Sequence, residues 1–122
     1  MRPILCSLLL LVAAPSWAGW TKMVEIAFFV DSDTIRINGN LRRVLELQDL
    51  KAKDSGGELS RRIQVEYDCK EGRRRLLSLT AYAGPMATGN VLVNVNRTSE
   101  WDSITAGATA SSTLKFVCAW KS

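Results

Sequence analysis

The stretch Ser60-Arg61-Arg62-Ile63-Gln64-Val65-Glu66-Tyr67-Asp68-Cys69 decides the fold. Its apolar residues fall at every second position, with Ile63, Val65, Tyr67 and Cys69 on one side and Arg62, Gln64, Glu66 and Asp68 on the other. A period of two belongs to a β-strand with one buried face, because successive side chains leave a pleated strand on opposite sides. A helix would scatter the same residues around its axis.

The pattern continues in both directions. Downstream, Lys70-Glu71-Gly72 is a tight turn, residues 73–83 put Leu77, Leu79 and Ala81 on a common face, residues 84–89 turn the chain again, and residues 90–96 align Val91, Val93 and Val95. Upstream, residues 51–58 are a polar loop and residues 41–50 a long strand, preceded by the hairpin signal Asn38-Gly39-Asn40 and by Ile35-Arg36-Ile37. Residues 20–31 are rich in β-formers and run into Asp31-Ser32-Asp33-Thr34, whose short polar side chains favour a turn.

Antiparallel neighbours must bring their apolar faces together. The pairing expected from these strands sets Val65 opposite Leu77, Ile63 opposite Leu79, Leu79 opposite Val93 and Ala81 opposite Val91. It also sets Leu45 opposite Val65, Leu47 opposite Ile63, and Ile37 opposite Leu41 across a three-residue turn. One continuous apolar face over at least five strands results, and it needs a cover. Residues 106–120 lack the alternation; Ala110, Leu114, Val117 and Cys118 there fall at i, i+4, i+7 and i+8, as in an amphipathic helix. The expected fold is therefore α+β: an antiparallel sheet of about six strands in a meander, with one face covered by a C-terminal helix.

The first residues predict export. Met1-Arg2 supplies positive charge, residues 4–14 are apolar, and Ser16-Trp17-Ala18 places small residues where a signal peptidase cuts. Residues 1–18 are read as a secretory signal peptide and residues 19–122 as one domain, with no membrane span in the mature form. Cys6 leaves with the signal and lacks the context of a lipidation site. Cys69 and Cys118 remain in a chain bound for an oxidising compartment, and a disulfide between them is expected. The predicted location is outside the cytoplasm, periplasmic or secreted.

The whole chain carries 16 Lys+Arg against 12 Asp+Glu, a formal +4. That balance is mildly basic and gives no nucleic-acid signature. The basic residues are clumped, and the candidate binding residues are Arg42, Arg43, Arg61, Arg62, Arg73, Arg74 and Arg75, facing a protein partner or an acidic or sulfated surface ligand. In the expected register Arg42, Arg43 and Arg73 to Arg75 gather with Lys70 at one end of the sheet, beside Glu66, Asp68 and Glu71. Arg61 and Arg62 lie near the other end. Arg43, Tyr67 and Arg75 line up across three strands on the apolar face, either with two guanidinium groups flanking one ring or, as the cost of burying unpaired charge favours, beyond the helix edge with the arginine stems packed on Tyr67 and their heads in water. Neighbouring acids and the helix end can also neutralise the larger cluster, which would make it structural.

The chain has no histidine, which removes Ser-His and Cys-His nucleophiles and the common zinc ligands together. No phosphate loop or EF-hand spacing is present. The reading is a non-catalytic exported binding protein with no cofactor and no metal, the alternative being a periplasmic structural or regulatory protein acting on another envelope protein.

Phe29-Val30-Asp31 with Thr34-Ile35, Glu66-Tyr67-Asp68-Cys69, Tyr82-Ala83-Gly84-Pro85-Met86 with Gly89, and Trp101 followed by Ile104, Gly107 and Cys118 together resemble the bacterial surface-adhesin protein E family. The resemblance spans the mature chain. It implies a sheet of about six strands with a C-terminal helix, a proteobacterial envelope protein, adhesion to host extracellular-matrix or serum proteins, and a homodimer. It associates binding with a basic stretch before the first mature cysteine; the matching residues 57–67 hold two basic side chains, Arg61 and Arg62.

Overall fold

The computed structural model describes residues 20–24, 28–50 and 52–121. The signal peptide expected at residues 1–18, with Cys6, lies outside the described residues. Among the described residues seven strands, β1 (Trp20–Val24), β2 (Phe28–Asn38), β3 (Leu41–Asp49), β4 (Ser60–Asp68), β5 (Arg73–Tyr82), β6 (Val91–Val95) and β7 (Asp102–Ser103), precede one helix, α1 (Thr109–Ala119). Strands β1 to β6 form an antiparallel meander in chain order, and β7 pairs with β5. This is the predicted α+β architecture; the two residues of β7 are too few to show a period.

The turn expected at Asp31 to Thr34 is instead a bulge inside β2, between Asp31 and Arg36. Its side chains still act as turn residues do. Asp31 Oδ1 accepts the Asp33 N–H at 3.1 Å, and the Thr34 hydroxyl donates to the Asp31 carbonyl at 2.7 Å and accepts the Leu45 N–H at 2.9 Å. The last bond ties the bulge to β3, so the strand continues where local chemistry alone would reverse it.

The register differs from expectation by one residue, with a large effect. The β2–β3 hairpin closes at Asn38 opposite Leu41, a two-residue turn with Gly39 at φ +59°. A one-residue slip sends every side chain of a strand to the other face. Strand β3 accordingly pairs Val44 with Val65 and Glu46 with Ile63, while Leu45 and Leu47 face Gln64 and Arg62. The core under the helix is Val30, Ile35, Val44, Ile63, Val65, Tyr67 and Val117. Leu47 is buried with Phe29 and Tyr82 on the opposite, far face.

Strands β4 and β5 begin as predicted, with Ile63 opposite Leu79, but a bulge after Gln64 brings Val65 opposite Leu76 rather than Leu77. Strand β6 pairs Leu79 with Val95 and Ala81 with Val93, two residues from the expected match. An even shift preserves the face.

Helix α1 starts later than predicted, after Gly107 at φ +90°, and packs over β1, β2 and β3. Its deepest residues are Thr113 and Val117, with Leu114 and Cys118 partly buried. Cys118 is bonded to Cys69 with their Cα atoms 5.9 Å apart. The Cys69 N–H donates to the Asn40 carbonyl at 2.8 Å, so the disulfide hangs from the β2–β3 turn as well as from β4.

Candidate binding surface

The corrected register separates the arginines of the larger cluster. Arg42, Tyr67 and Arg74 form one cross-strand row on the helix side, and Arg43, Glu66 and Arg75 form the next on the far face. The expected row of Arg43, Tyr67 and Arg75 does not exist.

On the helix side, Glu46 is completely buried, a carboxyl at a position the pattern assigned to leucine. Tyr67 donates its hydroxyl hydrogen to Glu46 Oε2, and Arg74 Nη2 stands 3.7 Å from Oε1. Burial pushes the Glu46 carboxyl up to about 7, against the opposing pull of Tyr67 and Arg74. Burial, and then the Glu46 charge, raise the Tyr67 phenol. Arg42 turns Nη1 back to the carbonyls of Gly39 at 2.7 Å and Leu41 at 3.0 Å. Arg42 and Arg74 are thus absorbed by the fold.

On the far face, buried Glu66 is clamped from both sides, by Arg75 Nη2 at 2.7 Å and Nε at 2.9 Å and by Arg43 Nε at 3.1 Å. Burial works to raise this carboxyl, but the bonds from Arg75 and Arg43 outweigh it and hold it below the usual range. Asp68 accepts the N–H groups of Glu71 and Lys70, both at 3.1 Å, and Arg73 Nε at 3.0 Å. Those backbone donors and Arg73 hold it low as well. The Arg73 and Arg75 guanidinium carbons lie 4.6 and 4.3 Å from the centre of the Trp101 ring. Two guanidinium groups do flank one aromatic ring, but the ring is Trp101, carried in just ahead of β7. Its place beside the arginines was not foreseen, although a lone aromatic in the polar run Thr98 to Ser103 was a signal for it. Arg75 and Trp101, with Ser99 and Asp102, also line a groove of about 330 Å³.

At the opposite end the Arg61 and Arg62 pair splits. Arg61 points Nε at Glu58, Nη2 at Asp54 at 2.9 Å and Nη1 at Gln48 at 3.2 Å. The Glu58 bond leads the rise of the Arg61 pKa above its ordinary value. Arg62 is exposed, 5.9 Å from the centre of the Tyr82 ring, and among the described residues no carboxylate lies within 4 Å of it. Of the seven candidate arginines, Arg43, Arg61, Arg73, Arg74 and Arg75 are ion-paired and Arg42 is hydrogen-bonded to its own backbone, which leaves Arg62, among the described residues, as the exposed candidate that nothing ion-pairs or hydrogen-bonds.

Among the described residues no three acidic or cysteine side chains group as a metal site, and no helix is long and apolar enough to cross a membrane.

The sequence profile of the surface-adhesin protein E family matches residues 20–119. The chain belongs to that family. Solved structures agree on the fold. The selenomethionine form of Haemophilus influenzae protein E superposes with a TM-score of 0.71 at 15% identity, covering 88% of this chain and 93% of that one. Crystal form II of the same protein gives 0.70 at 14% identity, covering 93% and 97%. Protein E from non-typeable Haemophilus influenzae gives 0.64 at 14%, covering 88% and 82%. A comparison with curated proteins found no match. At such identities the shared property is the backbone frame. In this surface-adhesin protein E family member, that frame sets Arg43, Arg62, Arg73, Arg75 and Trp101 on the sheet face away from the helix.

Proposed function

We propose that the protein is exported by cleavage after Ala18 and acts, without catalysis, as an adhesin-like domain that binds host matrix or serum proteins through the far face of its sheet. The observation that carries this reading is Arg62, an exposed guanidinium beside Tyr82 with no carboxylate among the described residues to neutralise it. An acidic or sulfated partner would supply the missing charge, and desolvation on contact would strengthen the pairing. Arg43, Arg73 and Arg75 around Trp101 extend the basic surface along the same face, although Glu66 and Asp68 share their charge.

Surface plasmon resonance of residues 19–122 over immobilised matrix proteins and heparin tests the reading. Binding should saturate, weaken with added salt, and fall severalfold in Arg62→Ala while Arg61→Ala binds nearly as the wild type does. An absence of saturable binding at low salt, or an unaffected Arg62→Ala, would overturn it.

A further inference from the structure

Helix α1 packs over β1, β2 and β3, and the same side of the sheet is left open at β6, where Val93 is 41% and Val95 44% exposed. Leu79 lies opposite both Ile63 and Val95, and Leu76 opposite Val65, so this open strip continues the apolar face that the helix covers. The chain leaves β5 after Val95 and returns to it at Ser99. There the Ser99 N–H donates to the Leu76 carbonyl at 2.9 Å, and Ser99 Oγ accepts the Leu76 N–H at 2.9 Å. Residues 96–98 therefore arch out between two fixed points. The arch and the strip line a groove of about 280 Å³, with Leu76, Leu79 and Val95 from the strands and Arg97 and Thr98 from the arch. That volume is close to the roughly 300 Å³ at which small-molecule sites begin.

The groove holds one charge. Residues 76–96 contain none, and Arg97 is the single ionisable residue in the lining. It is exposed, and among the described residues nothing ion-pairs or hydrogen-bonds it. An unpaired guanidinium at the border of an apolar trough complements a molecule with an apolar body and one anionic end. The body removes leucine and valine surface from water, and the anion meets a planar fork of donors. A single carboxylate matches the single guanidinium, whereas the second charge of a phosphate would have no partner here. A peptide strand fits less well, because an added strand needs free backbone groups and both of those on Leu76 are bonded to Ser99.

We propose that this groove binds a small amphiphilic carboxylate, with its chain on Leu76, Leu79 and Val95 and its head on Arg97. The site lies on the other side of the sheet from Arg62 and is independent of what that face binds.

Titration of isotope-labelled residues 19–122 with sodium decanoate, kept below the concentration at which it forms micelles, tests the proposal by nuclear magnetic resonance. Amide shifts should saturate as for one site and be confined to residues 76–79 and 95–99. Decanol has the same chain without the charge and should bind severalfold more weakly. Arg97→Ala should bring decanoate down to the affinity of decanol and leave decanol unchanged, while Arg97→Lys should keep part of the difference. Val95→Glu sets a like charge in the groove and should abolish decanoate binding with an unchanged circular dichroism spectrum. Shifts that never saturate, or that spread across the sheet, overturn the proposal, as does decanoate binding that Arg97→Ala leaves intact. An apolar peptide ending in a free carboxylate that binds more tightly than decanoate also overturns it, as do the same shifts produced by concentrating the protein alone. If Val95→Glu fails to fold, the Arg97 variants decide.

Discussion

Tyr67 donates its hydroxyl hydrogen to Glu46 where neither residue is exposed to water, and among the described residues the other Glu46 oxygen has no hydrogen-bond donor. Arg74, at 3.7 Å, compensates charge without bonding. A carboxyl so placed is better accommodated protonated than ionised.

The consequence for stability has a definite sign. Glu46 titrates at about 7 in the folded protein against an ordinary 4.5, so the folded state holds an extra proton between those values. Its contribution is fully present below pH 4.5 and is lost as pH rises through 7, a difference of roughly 3 kcal/mol. Glu46→Gln keeps an acceptor for Tyr67 and removes the titration. Urea denaturation should show the variant gaining on the wild type from pH 5 to pH 8, and a difference independent of pH would contradict the account.

Glu66 works in the opposite direction. Its carboxyl is held below the ordinary value by Arg75 and Arg43, so its contribution is present above that value and lost as pH falls through the folded one. Glu66→Gln should cost about 1–3 kcal/mol at pH 7, discounted because both arginines are partly exposed. The cost should shrink in acid, as guanidinium denaturation at pH 7 and at pH 3 can measure.

Ser60 holds the β5–β6 turn. Buried at the start of β4, its Oγ donates to the Gly84 carbonyl at 2.7 Å and accepts the Ala87 N–H at 2.9 Å. Ala87 and Met86 have φ of +58° and +51°, conformations that side chains other than glycine's resist. Ser60→Ala removes two of the strained turn's ties to the sheet, leaves the Met86 N–H bond to Asp49 Oδ1 at 2.7 Å, and should cost about 1–3 kcal/mol. Limited proteolysis should then cut residues 84–88 faster than in the wild type; equal rates would remove Ser60 from this role.

The disulfide joins residues 49 apart in sequence, for which the chain-entropy model gives about 4 kcal/mol. Reduction, or Cys69→Ser with Cys118→Ser, should lower the denaturation midpoint by a corresponding amount. A midpoint unchanged by reductant would show that helix packing alone holds the cover in place.

Alternation in Ile63, Val65 and Tyr67 was enough to find the sheet, the turns after β4 and β5 and the side the helix covers, because those positions are apolar on one face alone. Strand β3 is different. Val44, Leu45 and Leu47 put apolar side chains on both its faces, so pattern could not choose between two registers, and the hairpin length decided it. The register expected from the sequence keeps Glu46 off the covered face; in the observed one Tyr67 and Arg74 make its burial tolerable. The adjacent pair Leu76 and Leu77 hid the β5 bulge in the same way. Which arginine stays unpaired was beyond the sequence, since it depends on the loop folding so that Asp54 and Glu58 reach Arg61.

Helix α1 is held unequally at its two ends. Cys118 lies in its last turn, bonded to the sheet, while at its start Ala108 offers no side-chain cap and the first turn carries no acid. Opening should therefore be polar, peeling from Thr109 toward Val117, with amide exchange graded along the helix. A cover tethered in this way can lift without leaving, and its covalent root keeps it at high local concentration above the sheet, ready to settle back on the same residues.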